Sequence, residues 1–213
     1  MMIPAHELLL FAAAALVMVL TPGPNMVYLI SRSISQGREA GVISLLGVIA
    51  GFVVHMLAAA LGLTALFLAV PLAYDAVKWA GAAYLLYLAW QAFKPGARSA
   101  FEARQLPAIR PARLFLAGFL TNLLNPKIAV FYLSILPQFV SPTHGSVFAQ
   151  SLALGFTQIG VSFAVNLAIT LSAARIAAWF VSRPGWLVVQ RYLMGCVLAG
   201  LAVRLATEQR RAA

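Results

Sequence analysis

Charged residues are the scarcest component of this sequence. Only 9% of its 213 residues are charged and five are Asp or Glu, whereas 62% are hydrophobic. A soluble domain of this length carries roughly 25% charged residues. The deficit excludes an ordinary soluble domain and indicates a protein that crosses the membrane several times.

Cysteine, a cleavable leader and catalytic motifs are also lacking. The single Cys196 excludes an intramolecular disulfide and a two-cysteine redox relay. The N-terminal apolar segment has no positively charged leader or cleavage site, so we expect it to be retained as the first span. Nucleotide-binding (GxxxxGK[ST]), HExxH and GxSxG motifs do not occur, which predicts neither an enzyme nor an ATP-driven pump. No cofactor or metal is expected.

Basic residues gather in the connections between apolar segments. The net charge of +10 would suggest nucleic-acid binding in a soluble protein. Their position between spans is instead the positive-inside pattern of membrane proteins, and we expect no nucleic-acid partner. Three lie near the C-terminus, against nine in the first, third and fifth connections: Arg32, Arg38, Lys94, Arg98, Arg104, Arg110, Arg113, Arg175 and Arg183. This count predicts cytoplasmic odd connections and both termini outside.

Six segments are long and apolar enough to cross a bilayer, which takes about 20 helical residues. They cover residues 6–30, 41–63, 72–93, 113–137, 147–172 and 186–206. Gly62, Thr64 and Pro71 interrupt the uncharged run between the second and third segments, and residues 141–146 form a turn before the fifth. We therefore predict an all-α membrane protein with six transmembrane helices.

A polar segment, residues 94–112, divides the chain into halves covering 1–93 and 113–213. We predict a basic cytoplasmic linker between two three-helix repeats. Because three is odd, the second repeat enters the membrane in the opposite orientation, as in inverted-repeat transporters. Each half also begins with a span that carries a polar proline break, which supports a duplication.

The first break is Thr21-Pro22-Gly23-Pro24-Asn25, inside the apolar stretch 8–30. Proline lacks an N–H and clashes with the preceding helical turn. Lipid cannot bond the freed backbone groups, so such a break persists only where protein or a water-filled cavity satisfies them. Many transporters build their binding sites from helices broken near the midplane. The motif therefore predicts a carrier.

The second break has the sequence NLLNPK at 122–127. Lys127 lies about 21 Å along a helix from Arg113, too deep for its side chain to reach the cytoplasmic surface. It should face a partner, carbonyls or water. For Asn25 and Asn125, bonding to freed backbone and ligand binding both remain open. Half-helix N-termini suit carboxylates and freed carbonyls suit ammonium groups, so the breaks predict a site for an amino-acid zwitterion.

Three titratable residues are candidates for proton coupling. Asp75 lies three residues before Lys78, so an interfacial ion pair is an alternative role. Glu7, at the outer end of the first span, has the same two interpretations. His55, deep in the second span, is either an interhelical hydrogen-bonding residue or a proton relay. We also expect hydrogen bonds between helices from Gln158, Ser162 and Asn166.

These motifs resemble those of the LysE/RhtB family of amino-acid exporters. The resemblance rests on both breaks, on Arg32, Gly37 and Gly41, on KWAGAAYLLYLAW at 78–90 and on FLTNLLNPKIAVFYLSILPQFV at 119–140. It covers nearly the whole chain in order. It implies six spans, a bacterial inner (plasma) membrane and efflux of small neutral or hydroxylated amino acids such as threonine, homoserine or leucine. Lysine is less expected, because the lysine exporters of the family differ in sequence.

Carried over position by position, the resemblance also implies substrate-binding residues. Where some members carry an acid early in the fifth span this chain has Ser162, so a relay through that acid is not carried over. The residues are Thr21, Pro22, Gly23, Pro24, Asn25, Asn122, Asn125, Pro126 and Lys127.

We therefore expect a secondary exporter driven by the proton motive force, with broken first and fourth helices. Its glycine-rich faces permit a homodimer. The alternative is export of inorganic ions or other small metabolites on the same scaffold. A metal exporter would need Asp, Glu, His or Cys clustered inside the spans.

Overall fold

The fold is known from a computed structural model of the chain. It describes residues 3–21, 23–69, 79, 82–83, 86–87, 89–90, 93–94, 107–181 and 183–207. The helices whose bounds lie in these residues are α1 (Ala5–Leu20), α2 (Pro24–Ala69), α3 (Pro111–Leu123), α4 (Pro126–Val130), α5 (Val147–Val181) and α6 (Pro184–Thr207). The part of the chain so described contains no β-strand, which confirms the predicted all-α class there.

Proline chemistry separates α1 from α2. A helical carbonyl accepts from the N–H four residues later, and for Met18 that residue is Pro22, which has no N–H. The helix ends at Leu20, and Thr21 is extended (φ −66°, ψ 121°). α2 then begins with Pro24, at the first helical position, where proline fits best. The predicted break is present, although Pro22 itself lies outside the described residues.

α2 departs from helical geometry at one residue. Gly37 has φ 86° and ψ 174°, a conformation that glycine adopts readily because it has no Cβ. The predicted connection between the first and second spans is therefore a kink with helix on both sides. The prediction that Gly62 and Thr64 interrupt the helix was wrong, because α2 continues through both to Ala69. Pro71 lies outside the described residues.

The predicted second break separates α3 from α4. Leu124 leaves the helix (φ −90°, ψ 10°), Asn125 is extended (φ −83°, ψ 108°) and Pro126 begins α4. The segments Pro111–Leu123 and Lys127–Phe139 are bent by 50° relative to each other. A polar proline motif thus breaks the fourth predicted span, as it breaks the first.

Beyond α4 the chain changes its helical pitch before it turns. A π-helical turn at Phe131–Ile135 is followed by a 3₁₀ turn at Leu136–Phe139. A further 3₁₀ turn, Pro142–His144, ends at Gly145 with φ 102°. These residues confirm the turn predicted at 141–146, and α5 starts directly after it.

Two described helices are long and apolar enough to cross a bilayer, and they cover Pro24–Gly62 and Val147–Arg175. The bent pair of α3 and α4 is a third candidate span, and α1 with its 16 residues is shorter. Most of the third predicted span, 72–93, and of the linker, 94–112, lies outside the described residues. The arrangement of six helices in two inverted repeats therefore stays a prediction.

Helix α2 packs between α3 and α5 and meets α3 through glycine. Gly47 touches the backbone of Phe115, and Gly118 touches the backbone of Ser44, so closely that a Cβ at either glycine would clash. Close approach through small residues holds helices together in lipid, which is as apolar as leucine. Gly51, four residues after Gly47, likewise faces α3, where a Cβ would clash with Asn122.

Apolar and polar side chains are distributed as expected for a lipid environment. Leu9 and Leu61 are 71% and 63% exposed, whereas Asn122, Gln158 and Ser162 are completely buried. In water the exposed leucines would be unfavourable, and in lipid they need no partner.

The end of the linker is tied to α2 just before the kink. The side-chain amide of Gln36 donates to the carbonyl oxygen of Ile109 at 3.0 Å and accepts from the N–H of the same residue at 3.0 Å. Arg32 also donates to the carbonyl oxygen of Pro107 at 2.9 Å. The start of α3 is therefore fixed to α2 through backbone atoms of the linker.

Candidate functional site

Lys127 extends from the second break to the first. Its ammonium donates to the carbonyl oxygens of Thr21 at 2.7 Å and Met18 at 3.1 Å, and the residue is 7% exposed. Pro22 offers Met18 no helical donor, so the lysine supplies one to a carbonyl that the break has freed. These oxygens lie at the negative end of the α1 dipole, where a cation is stabilised. Lys127 thus has the carbonyl partners expected for it.

Gly23 lies directly against the lysine. A Cβ on this glycine would be 2.9 Å from the Nζ atom of Lys127 and 3.2 Å from its Cε atom. Any larger residue would therefore push the end of the lysine away from α1. A Cβ at position 23 therefore fits only if the end of the lysine side chain moves.

Two asparagines join the breaks to each other. Asn125 precedes α4, and its side-chain oxygen accepts from the backbone N–H of Lys127 at 3.0 Å, which caps the helix. Its side-chain nitrogen donates to the side-chain oxygen of Asn25 at 3.3 Å. Both asparagines are buried. Asn125 bonds freed backbone, one of the two roles left open by its sequence, and the pair brings both breaks into one place.

A second cluster surrounds Asn122, the last polar residue of α3. The Nε2 atom of His55 lies 3.3 Å from the Asn122 carbonyl oxygen, which is the acceptor that Pro126 leaves without a helical donor. The same His55 ring stacks on Tyr132 with centroids 5.9 Å apart. Gly51 gives the asparagine room, because a Cβ there would lie 2.7 Å from the Cβ of Asn122. His55 thus makes an interhelical hydrogen bond.

The side-chain amide of Asn122 has no hydrogen-bond partner among the described residues. Both its oxygen and its nitrogen are buried and unpaired. A buried amide of this kind is rare, since each unpaired polar atom costs about 1–3 kcal/mol. The Asn122 amide therefore has one acceptor and two donors that no described residue uses.

A hydrogen-bonded series continues from this cluster into α5. The Tyr132 hydroxyl donates to the side-chain oxygen of Gln158 at 2.6 Å, and the Gln158 nitrogen donates to the Ser162 hydroxyl at 2.7 Å. Asn166 donates to the Ser162 carbonyl oxygen at 2.8 Å. Among the described residues the expected bond between helices is present for Gln158, whereas the bonds of Ser162 and Asn166 lie within α5.

The predicted substrate residues therefore fall into two groups. The first group is joined by contacts with Lys127 or Asn125 and consists of Thr21, Gly23, Asn25, Asn125 and Lys127. Asn122 belongs to the His55 cluster. Pro24 and Pro126 begin helices, and Pro22 lies outside the described residues.

The other candidates for proton coupling lie apart from these groups. Glu7 is buried in the first turn of α1, about 21 Å along the helix from Thr21. Asp75 lies outside the described residues. His55 is thus the coupling candidate that the described structure brings next to a break.

Two groups of the site were not predicted from the sequence, the Met18 carbonyl and Tyr132. The Met18 carbonyl could have been found, because any residue four positions before a proline loses its helical donor. Tyr132 had no such signal, since an aromatic residue in an apolar span is typical of packing. The polar role of the Tyr132 hydroxyl is evident only from its hydrogen bond to Gln158 in the structure.

The whole site lies within the region that matches one protein family. The sequence matches the family model of the LysE type translocators over residues 16–209. The chain belongs to the LysE type translocator family. Both breaks and both clusters lie inside the match, which confirms the resemblance carried by the two proline motifs.

Members of this family with efflux names resemble the chain over most of its length. The homoserine/homoserine lactone efflux protein of Salmonella typhimurium is 37% identical over 161 residues, 75% of this chain and 77% of the relative. The leucine efflux protein of the same organism is 29% identical over 199 residues, 93% and 94% of the two chains. A membrane protein of Vibrio cholerae is 30% identical over 209 residues, 96% and 98%. No solved structure matches the chain.

Proposed function

We propose that this LysE type translocator exports small neutral or hydroxylated amino acids, such as homoserine, threonine or leucine, across the bacterial inner membrane. Family membership gives amino-acid efflux as the general activity. The names of its relatives point to homoserine, its lactone and leucine. Homoserine, its lactone and leucine share a primary ammonium group, and homoserine and leucine also carry a carboxylate, so a site that binds this ammonium offers a contact to each of them.

The proposal depends on the contact between the two breaks, where Lys127 reaches the end of α1. Lys127 offers a cation, and the carbonyls of Met18 and Thr21 accept N–H donors at the same place. An amino-acid zwitterion complements both groups without a buried acid. In our hypothesis the substrate carboxylate lies against Lys127 and a half-helix N-terminus, between the breaks. The unpaired amide of Asn122 supplies further polar atoms for the hydroxyl or carboxylate of a substrate.

Transport would proceed by alternating access between two inverted repeats of three helices, with both termini on the periplasmic side. The proton motive force is the proposed driving force. His55 is the favoured proton carrier of the three candidates, because it contacts the Asn122 carbonyl and stacks on Tyr132. Glu7 and Asp75 remain alternatives for this role.

Efflux of preloaded amino acids tests the proposal. Cells that express the protein, and matched cells without it, are loaded with radiolabelled threonine, homoserine, leucine or lysine and then diluted, with and without an uncoupler. We expect faster loss of at least one neutral amino acid, and we expect the uncoupler to abolish the difference. Equal loss of all four from both kinds of cell would contradict amino-acid export. Faster loss that survives the uncoupler would contradict proton coupling and favour a passive channel.

A further inference from the structure

The carbonyl pair at the end of α1 already holds a primary ammonium group, that of Lys127. Within the described part of the chain, the hydrogen-bond partners of this ammonium are the carbonyl oxygens of Met18 and Thr21, and no carboxylate lies at salt-bridge distance. A lysine held by carbonyls keeps its charge unneutralised. The same carbonyls would accept any other primary ammonium with equal geometry.

We propose that the carbonyl oxygens of Met18 and Thr21 form the subsite for the ammonium group of the substrate, and that Lys127 fills this subsite when no substrate is bound. The inference rests on the proposed function, because it names the part of the amino acid that binds there. Lys127 then acts as a tethered competitor of the substrate. When it is displaced, its ammonium turns to the substrate carboxylate.

Exchange of one ammonium for another avoids the main cost of opening the site. A buried carbonyl without a donor destabilises the protein, and lipid cannot replace the missing bond. During the exchange each carbonyl gives up an N–H donor and receives an identical one. The displaced lysine gains the carboxylate that it lacks in the empty state.

This arrangement discriminates between classes of ligand. A zwitterion satisfies both the carbonyls and the displaced Lys127. A simple amine fills the carbonyls and leaves the lysine without a partner, and a simple carboxylic acid pairs with the lysine and leaves the carbonyls empty. The site should therefore prefer amino acids over both the corresponding amides and the corresponding hydroxy acids.

Gly23 borders the same subsite. The space between this glycine and Nζ of Lys127 is too small for a Cβ, which would lie 2.9 Å from the nitrogen. The first break is thus shaped to admit an ammonium on a thin aliphatic stem. A tetraalkylated ammonium carries the same charge and is both wider and without an N–H.

Rescue of a lysine-free variant by small cations tests the subsite without any assumption about transport. Lys127→Ala protein, purified in detergent, is heated with propylammonium or with tetramethylammonium at equal ionic strength. We expect propylammonium to raise the Tm of the variant by about 2–4 °C, and tetramethylammonium to have no effect. The wild-type protein should respond less to propylammonium, because Lys127 already occupies the subsite.

Equal shifts with both cations, or no shift with either, would overturn the proposal. If Lys127→Ala or the bulkier Lys127→Met cannot be recovered folded, solubilisation in each cation becomes the readout. Recovery with propylammonium alone then supports the subsite, and equal recovery or none overturns it.

A competition experiment links the subsite to transport. For the amino acid that wild-type cells export fastest, the corresponding amide and hydroxy acid should each compete at least 10-fold more weakly. In Lys127→Met the amide should compete as well as the amino acid. A ranking that does not change with the variant would contradict the tethered competitor. Failure of all efflux by the wild type would instead remove the proposed function, and the cation experiment would still decide whether the subsite exists.

Discussion

The first break, at residues 21–25, and the second, at 122–127, both leave a buried carbonyl four residues before a proline. In the first break the donor to that carbonyl, Met18 O, is the ammonium of Lys127 at 3.1 Å. In the second it is the imidazole of His55, 3.3 Å from the carbonyl of Asn122. An ammonium has three N–H donors and a neutral imidazole has one. The comparison indicates that the first break is built for a stronger cationic contact.

The carbonyl of Asn122, in the second break, also accepts from a donor other than His55. The backbone N–H of Asn125 donates to the Asn122 carbonyl at 3.0 Å, within the tight turn that joins α3 to α4. At the equivalent position of the first break, the N–H of Thr21 donates to the carbonyl of Val17 and not to that of Met18. The first break therefore relies more on a side chain from elsewhere, and its loss should have the larger effect.

Removal of Lys127 should have the largest effect, because the first break depends on this side chain more than the second depends on His55. Lys127→Met leaves the carbonyls of Met18 and Thr21 buried without their ammonium, at about 1–3 kcal/mol each. We expect a Tm lower by several degrees and at least a 10-fold loss of efflux. Lys94→Met is the matched control, because Lys94 is exposed, and it should leave both nearly unchanged. An unaltered efflux rate in Lys127→Met would show that the lysine takes no part in transport.

Crowding of the second break should have an intermediate effect. In Gly51→Ala the new Cβ would lie 2.7 Å from the Cβ of Asn122 and 2.8 Å from its side-chain oxygen. Overpacking of this kind costs about 1–3 kcal/mol, and it shifts the asparagine that we assign to the substrate.

The control for this variant is Gly62→Ala in the same helix, where no atom of the described residues lies within 4 Å of the added Cβ. We expect Gly62→Ala to keep or slightly raise the Tm, because alanine favours helix. Thermal unfolding and efflux of both variants are compared side by side. Equal Tm values for the two variants would contradict the close contact between Gly51 and Asn122.

Replacement of His55 should have the smallest effect on stability. His55→Phe keeps a ring that can stack on Tyr132 and removes the Nε2 donor to the Asn122 carbonyl. Because Asn125 still donates to that oxygen, we expect a loss of only about 0.5–1.5 kcal/mol. If His55 carries the coupling proton, the remaining efflux becomes insensitive to the uncoupler. A destabilisation as large as that of Lys127→Met would contradict the difference between the two breaks.

Much of this arrangement could be predicted from single residues. Proline cannot donate a backbone hydrogen bond, so TPGPN and NLLNPK had to break their helices wherever they stood. Lys127 was too far from Arg113 to reach the surface, so it had to find a partner inside. The turn at 141–146 followed from its proline and glycine. These features depend on the chemistry and spacing of individual residues, which can be read from the sequence.

The remaining features depend on how helices pack. The sequence did not show that Lys127 would cap α1, because this contact depends on how α4 meets the end of α1. It did not show that His55 would contact Asn122 either, because that contact depends on the close approach of α2 to α3. The course of α2 was misjudged at Gly62 and Thr64, since a glycine or a threonine interrupts a membrane helix only when neighbouring structure favours it. The Tyr132–Gln158 bond likewise exists only between two helices.

The tie between Gln36 and Ile109 has a consequence for how the family's sequences can vary. The amide of Gln36 bonds both the N–H and the carbonyl of Ile109, as a neighbouring strand would. To these two bonds position 109 contributes only main-chain atoms, so any residue that keeps its N–H preserves them and proline does not. At position 36 the side-chain amide itself makes both bonds, so a residue without such an amide loses them. One side chain can therefore hold the linker in register while the sequence of the linker drifts.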